Sequence, residues 1–147
     1  MSDLLKRQFD LTRRGILKTI EESSAEILNS QPQGLNNTIH WQLGHVLVAA
    51  ENFLFGPAGQ LPKEYGALFG YGSKPTEWQG EVPSVETLVD QLKEQLTRIK
   101  EIPNERFDEK LPEPILGSST YGELVSLTAF HEAEHSGQIH AMKRFLG

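Results

Sequence analysis

The chain has 147 residues, no cysteine, and 14 basic against 20 acidic residues for a formal charge of −6. The length suits one domain over residues 1–147, and a fold of this size buries roughly 68–70% of its unfolded surface without covalent staples. The missing cysteine excludes disulfides, thiolate metal ligands and a cysteine nucleophile, and fits the reducing cytoplasm taken as the expected location. Basic residues are dispersed among acidic ones, which argues against a nucleic-acid partner. No run approaches the ~18 apolar residues of a membrane span, and the charged start MSDLLKRQFDLTRRG lacks the apolar stretch of a signal peptide.

From Asp3 to about Ser30 the apolar residues Leu4, Leu5, Phe9, Ile16, Leu17, Ile20, Ile27 and Leu28 recur mostly at steps of three and four, the pattern of an amphipathic helix. Gly15 and the Ser23-Ser24 pair are points where it bends or frays. Gln31-Pro32-Gln33-Gly34 signals a turn. Asn36 and Asn37 are N-cap candidates for a second helix over about 38–55, whose apolar face carries Leu43, Val46, Leu47, Ala50, Phe53 and Leu54. Residues 56–82 are rich in glycine and proline and hold Tyr65, Phe69, Tyr71 and Trp78. A loop of that length inside a compact domain is commonly functional. Its aromatics are read as a lid, a loop anchor or a dimer contact.

Ser84 is the expected N-cap of a third helix in which Leu88, Leu92, Leu96 and Ile99 share a face, and Pro103 stops it. Residues 103–119 read as irregular. Thr120-Tyr-Gly-Glu123 has the form of a capping box and opens a last helix to about Leu146. The expected fold is all-α, a four-helix bundle with a long crossover loop between helices 2 and 3.

Five histidines are distributed over two of these helices. His131 and His135 are four apart, so both imidazoles lie on one face, one turn apart, at a spacing that can chelate one ion. That face also carries Leu124, Leu127, Gln138 and Met142. His140 falls about 140° further round at ~100° per residue. His45 shares a stripe with Trp41 and points inward, whereas His40 lies away from it. A single histidine on an apolar face is more often a hydrogen-bonded core residue than a ligand. A stacked pair is harder to account for that way, because each buried imidazole needs partners for two nitrogens.

His131-Glu-Ala-Glu-His135 matches the H-E-x-x-H pattern of zinc peptidases. The continuation does not fit. His140 comes one residue too early for the extended three-histidine version, and only twelve residues follow His135, too few for a distant glutamate ligand. Glu132 and Glu134 are therefore read as solvent-facing or as supporting the ligands from behind. Gly137 is read as permitting close helix approach, and Gln138 as a helix-packing polar residue near the site.

Two blocks carry a family resemblance. Ile39-His-Trp-Gln-Leu-Gly-His45-Val-Leu, with Glu51 soon after, resembles the second-helix block of the DinB-like superfamily. Phe130-His-Glu-Ala-Glu-His135-Ser-Gly-Gln-Ile139 resembles its last-helix block, where a His-x-x-x-His pair precedes a Gly-Gln-Ile-like run. The resemblance implies a four-helix bundle and one divalent ion held by His45, His131 and His135. Some members of that superfamily transfer low-molecular-weight thiols such as bacillithiol or mycothiol to electrophiles, and others isomerise maleylpyruvate with a thiol cofactor. The implied activity is a metal-dependent S-transferase acting on a small-molecule thiol and an electrophile. A metal-dependent hydrolase, or a metal-binding stress-related module without turnover, is the alternative.

Three neutral nitrogen ligands leave a position open for water or substrate. Imidazole suits Zn, Ni, Fe and Cu, with zinc or nickel expected first and iron next. Without a cysteine in the chain, any sulfur nucleophile is a cosubstrate. A homodimer is the expected assembly.

Overall fold

The computed structural model describes all 147 residues and is mostly helical. Six α-helices run in chain order: α1 (Ser2–Glu21), α2 (Ala25–Asn29), α3 (Ile39–Leu54), α4 (Tyr65–Phe69), α5 (Val85–Lys100) and α6 (Tyr121–Leu146). A two-stranded antiparallel ribbon, β1 (Lys110–Ile115) with β2 (Ser118–Thr120), precedes α6. No helix is long and apolar enough to cross a membrane.

Local chemistry sets most of the boundaries. The long first helix expected from the periodicity ends at Glu21, and the Ser24 side chain accepts from the Ile27 N–H to start α2 separately. Thr38, not Asn36 or Asn37, caps α3 by accepting from the Trp41 N–H. Ser84 caps α5 through the Thr87 N–H. At α6 the capping box is complete: Thr120 accepts from the Glu123 N–H, and the Glu123 carboxylate accepts from the Thr120 N–H. Each such cap satisfies donors the helix cannot satisfy itself, which is worth about 1 kcal/mol.

The ribbon was not expected. Pro112 and Pro114 argue against a strand in a sheet interior, but a two-stranded ribbon has outer edges where a missing N–H costs nothing. Leu116 and Gly117 both have positive φ, 49° and 83°, as a two-residue hairpin turn that matches strand twist requires. Glycine adopts this freely; leucine does so at a cost of about 1–2 kcal/mol.

Helix α6 packs against α1 on one side and α3 on the other, while α5 packs against both α3 and α1. Two apolar clusters fill the space between them. The larger contains Ile16, Leu43, Leu47, Phe69, Leu88, Leu92 and Ile139; the smaller, toward the ribbon, contains Phe9, Leu54, Ile99 and Tyr121.

A buried polar chain crosses this core. The Arg13 guanidinium donates to both carboxylate oxygens of Glu132, at 3.0 and 2.9 Å, to the Leu92 carbonyl at 2.7 Å and to Gln95 Oε1 at 2.6 Å. Gln95 in turn donates to the Leu47 carbonyl and to Glu51, which Arg98 grips with two further bonds. Burial opposes ionisation of Glu51, but bonds from Arg98, the Gln60 N–H and Gln95 outweigh it and hold its carboxyl below the usual range. Four helices are thus tied by side chains that cannot be left unpaired in an apolar interior.

Candidate metal centre

The site sits where α6 faces the middle of α3. The i,i+4 spacing puts His131 and His135 on one side of α6, and the matching stripe of α3 brings His45 opposite them. His45 is buried and the other two half-buried. His131 Nε2 lies 3.3 Å from His45 Nε2 and 3.1 Å from His135 Nε2. The three residues form a group in which one ligand atom from each lies within 4.8 Å of the others.

The outer nitrogens explain why these edges converge. His45 Nδ1–H donates to the Phe69 carbonyl at 2.8 Å. His135 Nδ1–H donates to Gln42 Oε1. A carbonyl oxygen can only accept, so both rings carry their proton on Nδ1 and present the Nε2 lone pair inward. Gln42 is itself oriented, because its Nε2 donates to Gln138 Oε1 at 2.8 Å and to Asn37 Oδ1 at 3.2 Å. Trp41 lies flat against His45, with ring centroids 4.6 Å apart and planes 11° from parallel. Its indole N–H is bonded to Ser73, so the stack is held from both ends.

Electrostatics favour the neutral, ligating form. Burial lowers the pKa of His45 and of His131. His135 is pushed down to about 3, first by burial and then by repulsion from the other two histidines. Three neutral imidazoles facing one point, two of them presenting Nε2 lone pairs, suit a cation better than a second proton.

The donor set also passes a size test. Bonds of 2.0–2.1 Å from zinc to imidazole nitrogen place ligand pairs roughly 2.9 Å apart at right angles and about 3.3 Å apart at a tetrahedral angle. The observed 3.1 and 3.3 Å separations fall in that interval. Acceptors behind the ring N–H groups are the usual support of a metal-bound histidine.

The other two histidines stand apart, as their helical phase implied. His140 is exposed. His40 is buried but turns the other way, bonding the Pro83 carbonyl at 2.8 Å with Asn29 at its second nitrogen. The H-E-x-x-H glutamate is excluded from the site: Glu132 is 1% exposed and committed to Arg13. That corrects its reading as a solvent-facing residue or a support to the ligands. Glu134 is exposed, as expected, and borders the site. Gly137 faces open space rather than a neighbouring helix. The close approach occurs at Gly44, where a Cβ would fall inside the Phe69 ring.

The aromatic loop divides into two parts. Tyr65 and Phe69 are buried; Trp78, half-buried, packs edge-on against Phe69 and bonds the Leu68 carbonyl, so these three anchor the loop. Tyr71 is fully exposed and lines a cleft beside the triad. Sequence reasoning did not single out Gln42. Its signal was phase: it lies three residues before His45, on the flank of α3 that turns toward α6.

A match to the DinB superfamily covers residues 8–139. The chain belongs to the DinB superfamily. A crystal structure titled as that of a conserved protein of a locus from Enterococcus faecalis is similar in fold, with a TM-score of 0.73 over 99% of this chain and 96% of that one, at 13% identity. No curated protein matches the chain. Superfamily membership accords with the two histidine-bearing blocks, both of which lie inside the matched residues.

Proposed function

We propose that this member of the DinB superfamily is a one-domain four-helix bundle, α1, α3, α5 and α6, whose segment between α3 and α5 is the long crossover. We further propose that His45, His131 and His135 hold one divalent ion, zinc or nickel before iron, and that the protein transfers a low-molecular-weight thiol to an electrophile. The observation carrying this reading is that His131 Nε2 lies 3.3 Å from His45 Nε2 and 3.1 Å from His135 Nε2, with the outer nitrogens of His45 and His135 held by acceptors.

His45, His131 and His135 would hold the ion, which when bound would supply a place for an exogenous thiol and favour its thiolate, the nucleophilic form. The chain's own groups do the rest. Phe69 and Gln42 fix the tautomers of His45 and His135, so no ring rotation is needed before a ligand binds. Trp41 closes one side of His45 against water. A cleft of about 680 Å³ opens on the other side, bordered by His45 and His131, and is where the electrophile would meet the sulfur. In the transfer, the sulfur–carbon bond forms as the leaving group departs with its electron pair, and the thiol proton passes to solvent.

The test has two arms. Metal analysis of untagged protein is expected to give one ion per chain, lost in His131→Ala and in His135→Ala; one ion that survives both substitutions would sink the triad. A panel of biological thiols with monochlorobimane, with and without chelator, is expected to show metal-dependent conjugation. Ester turnover without thiol would favour a hydrolase instead, and inactivity in both assays a binding module.

A further inference from the structure

The cleft beside the triad has a composition that selects for charge as well as shape. Along its length it is walled by Val48, Ala49 and Phe53 of α3 and Leu127 and Phe130 of α6, with Leu116 at the hairpin tip. Three of its apolar side chains stand in water at its mouth. Tyr71 is fully exposed, Leu116 is 73% exposed and Phe130 is 60% exposed. They come from three separate parts of the chain, the loop before α5, the hairpin turn and α6. Leu116 occupies a positive-φ position where a polar turn residue or glycine would cost less.

The polar groups of the cleft are few. Beyond the histidines it offers Asn52, the Tyr71 hydroxyl and the Glu134 carboxylate, and neither lysine nor arginine is among its lining residues. Pockets of roughly 300–1,000 Å³ that are mostly apolar with a few polar groups are the ordinary form of a small-molecule site. Away from the histidine triad, a carboxylate or phosphate in this cleft would lose hydration without gaining a lysine or arginine, and would approach Glu134.

We propose that the cleft binds an apolar organic molecule that carries no anionic group, gripped at the mouth by Leu116, Tyr71 and Phe130, with Glu134 setting the charge preference. This rests on the reading of the triad as the reacting centre, and names the class of electrophile that centre receives. It implies that an anionic substrate, or a thiol whose carboxylates must enter this cleft, is disfavoured.

A matched set of probes tests it: 4-phenylbutylamine, 4-phenylbutanol and 4-phenylbutyrate, which share a skeleton and differ in charge. Dissociation constants are measured by protein-observed NMR titration at physiological salt, on the protein as purified and again after chelation. Binding after chelation does not depend on turnover or on a metal, so its failure is distinguishable from failure of the transferase reading. After chelation, when no ion is present to ligate a carboxylate, the amine is expected to bind at least as tightly as the alcohol, and the butyrate at least tenfold more weakly than either. Glu134→Gln should shrink the gap between amine and butyrate. Leu116→Ser and Phe130→Ser, at exposed positions, should weaken amine and alcohol several-fold while leaving the melting temperature in place. Butyrate binding as tight as the others after chelation, an amine weaker than the alcohol, or no effect of either serine variant would overturn the proposal.

Discussion

Glu132 offers the sharpest test of how this fold is held. In an H-E-x-x-H peptidase the residue would be the general base. Here it is 1% exposed and makes a two-bond pair with Arg13, which is equally buried. Glu132→Ala removes the only carboxylate bonded to the guanidinium and leaves the bonds to Leu92 and Gln95, which accept hydrogen bonds but carry no charge. Removing one partner of a buried ion pair costs about 3–5 kcal/mol because the other charge remains unpaired. Domains of this size are stable by about 5–15 kcal/mol, so roughly a fifth of the total or more would go. At ~2.1 cal/mol/K per residue the unfolding entropy is about 0.3 kcal/mol/K, and the loss corresponds to a fall of about 10–15 °C in melting temperature. Urea unfolding followed by circular dichroism measures the free energy, and calorimetry the temperature. The double variant Arg13→Met/Glu132→Met should be less destabilised than Glu132→Ala, since it leaves no bare charge. Metal stoichiometry measured well below the transition should stay at one. A loss under about 1 kcal/mol for Glu132→Ala, or a variant of normal stability that no longer binds metal, would refute the reasoning.

Two further outcomes follow from the same geometry. Gln42→Ala frees the His135 ring to rotate and removes the acceptor behind its Nδ1–H, so it should weaken metal affinity about 10–100-fold while keeping one site per chain; competition against a chromogenic chelator measures this, and unchanged affinity would remove Gln42 from the site. The depressed pKa values of His45, His131 and His135 give the metal-free protein a pH dependence. Unfolded histidines titrate near 6.5, so their contribution is complete above that pH and is lost as pH falls toward the folded values, about 3 for His135. The urea midpoint after chelation should therefore drop between pH 7.5 and 5.5, above the range where carboxylates titrate. A flat midpoint across that interval would contradict the buried, neutral state of the rings.

Local signals in the sequence decided a good deal. Ser84 and Thr120 cap their helices as their side chains dictate, because an N-cap bond spans only three residues. The i,i+4 spacing of His131 and His135 defines a chelating edge on any α-helix, and helical phase alone separates His40 and His140 from it. Opposed residues of other helices were beyond such reasoning. Thr38 replaced the asparagines as cap of α3, and the ribbon formed despite its prolines, because pairing partners and strand edges are set by packing. Glu132 turned from the surface to the core because Arg13, 119 positions away, is buried opposite it. Gln95 became the bridge between that pair and Glu51 for the same reason. Sequence periodicity established that three histidines point inward; only the packing of α3 against α6 brings His45 Nε2 to 3.3 Å from His131 Nε2 and sets an apolar cleft without lysine or arginine beside them. Helical phase is a property of one segment, whereas a site between helices depends on which faces meet.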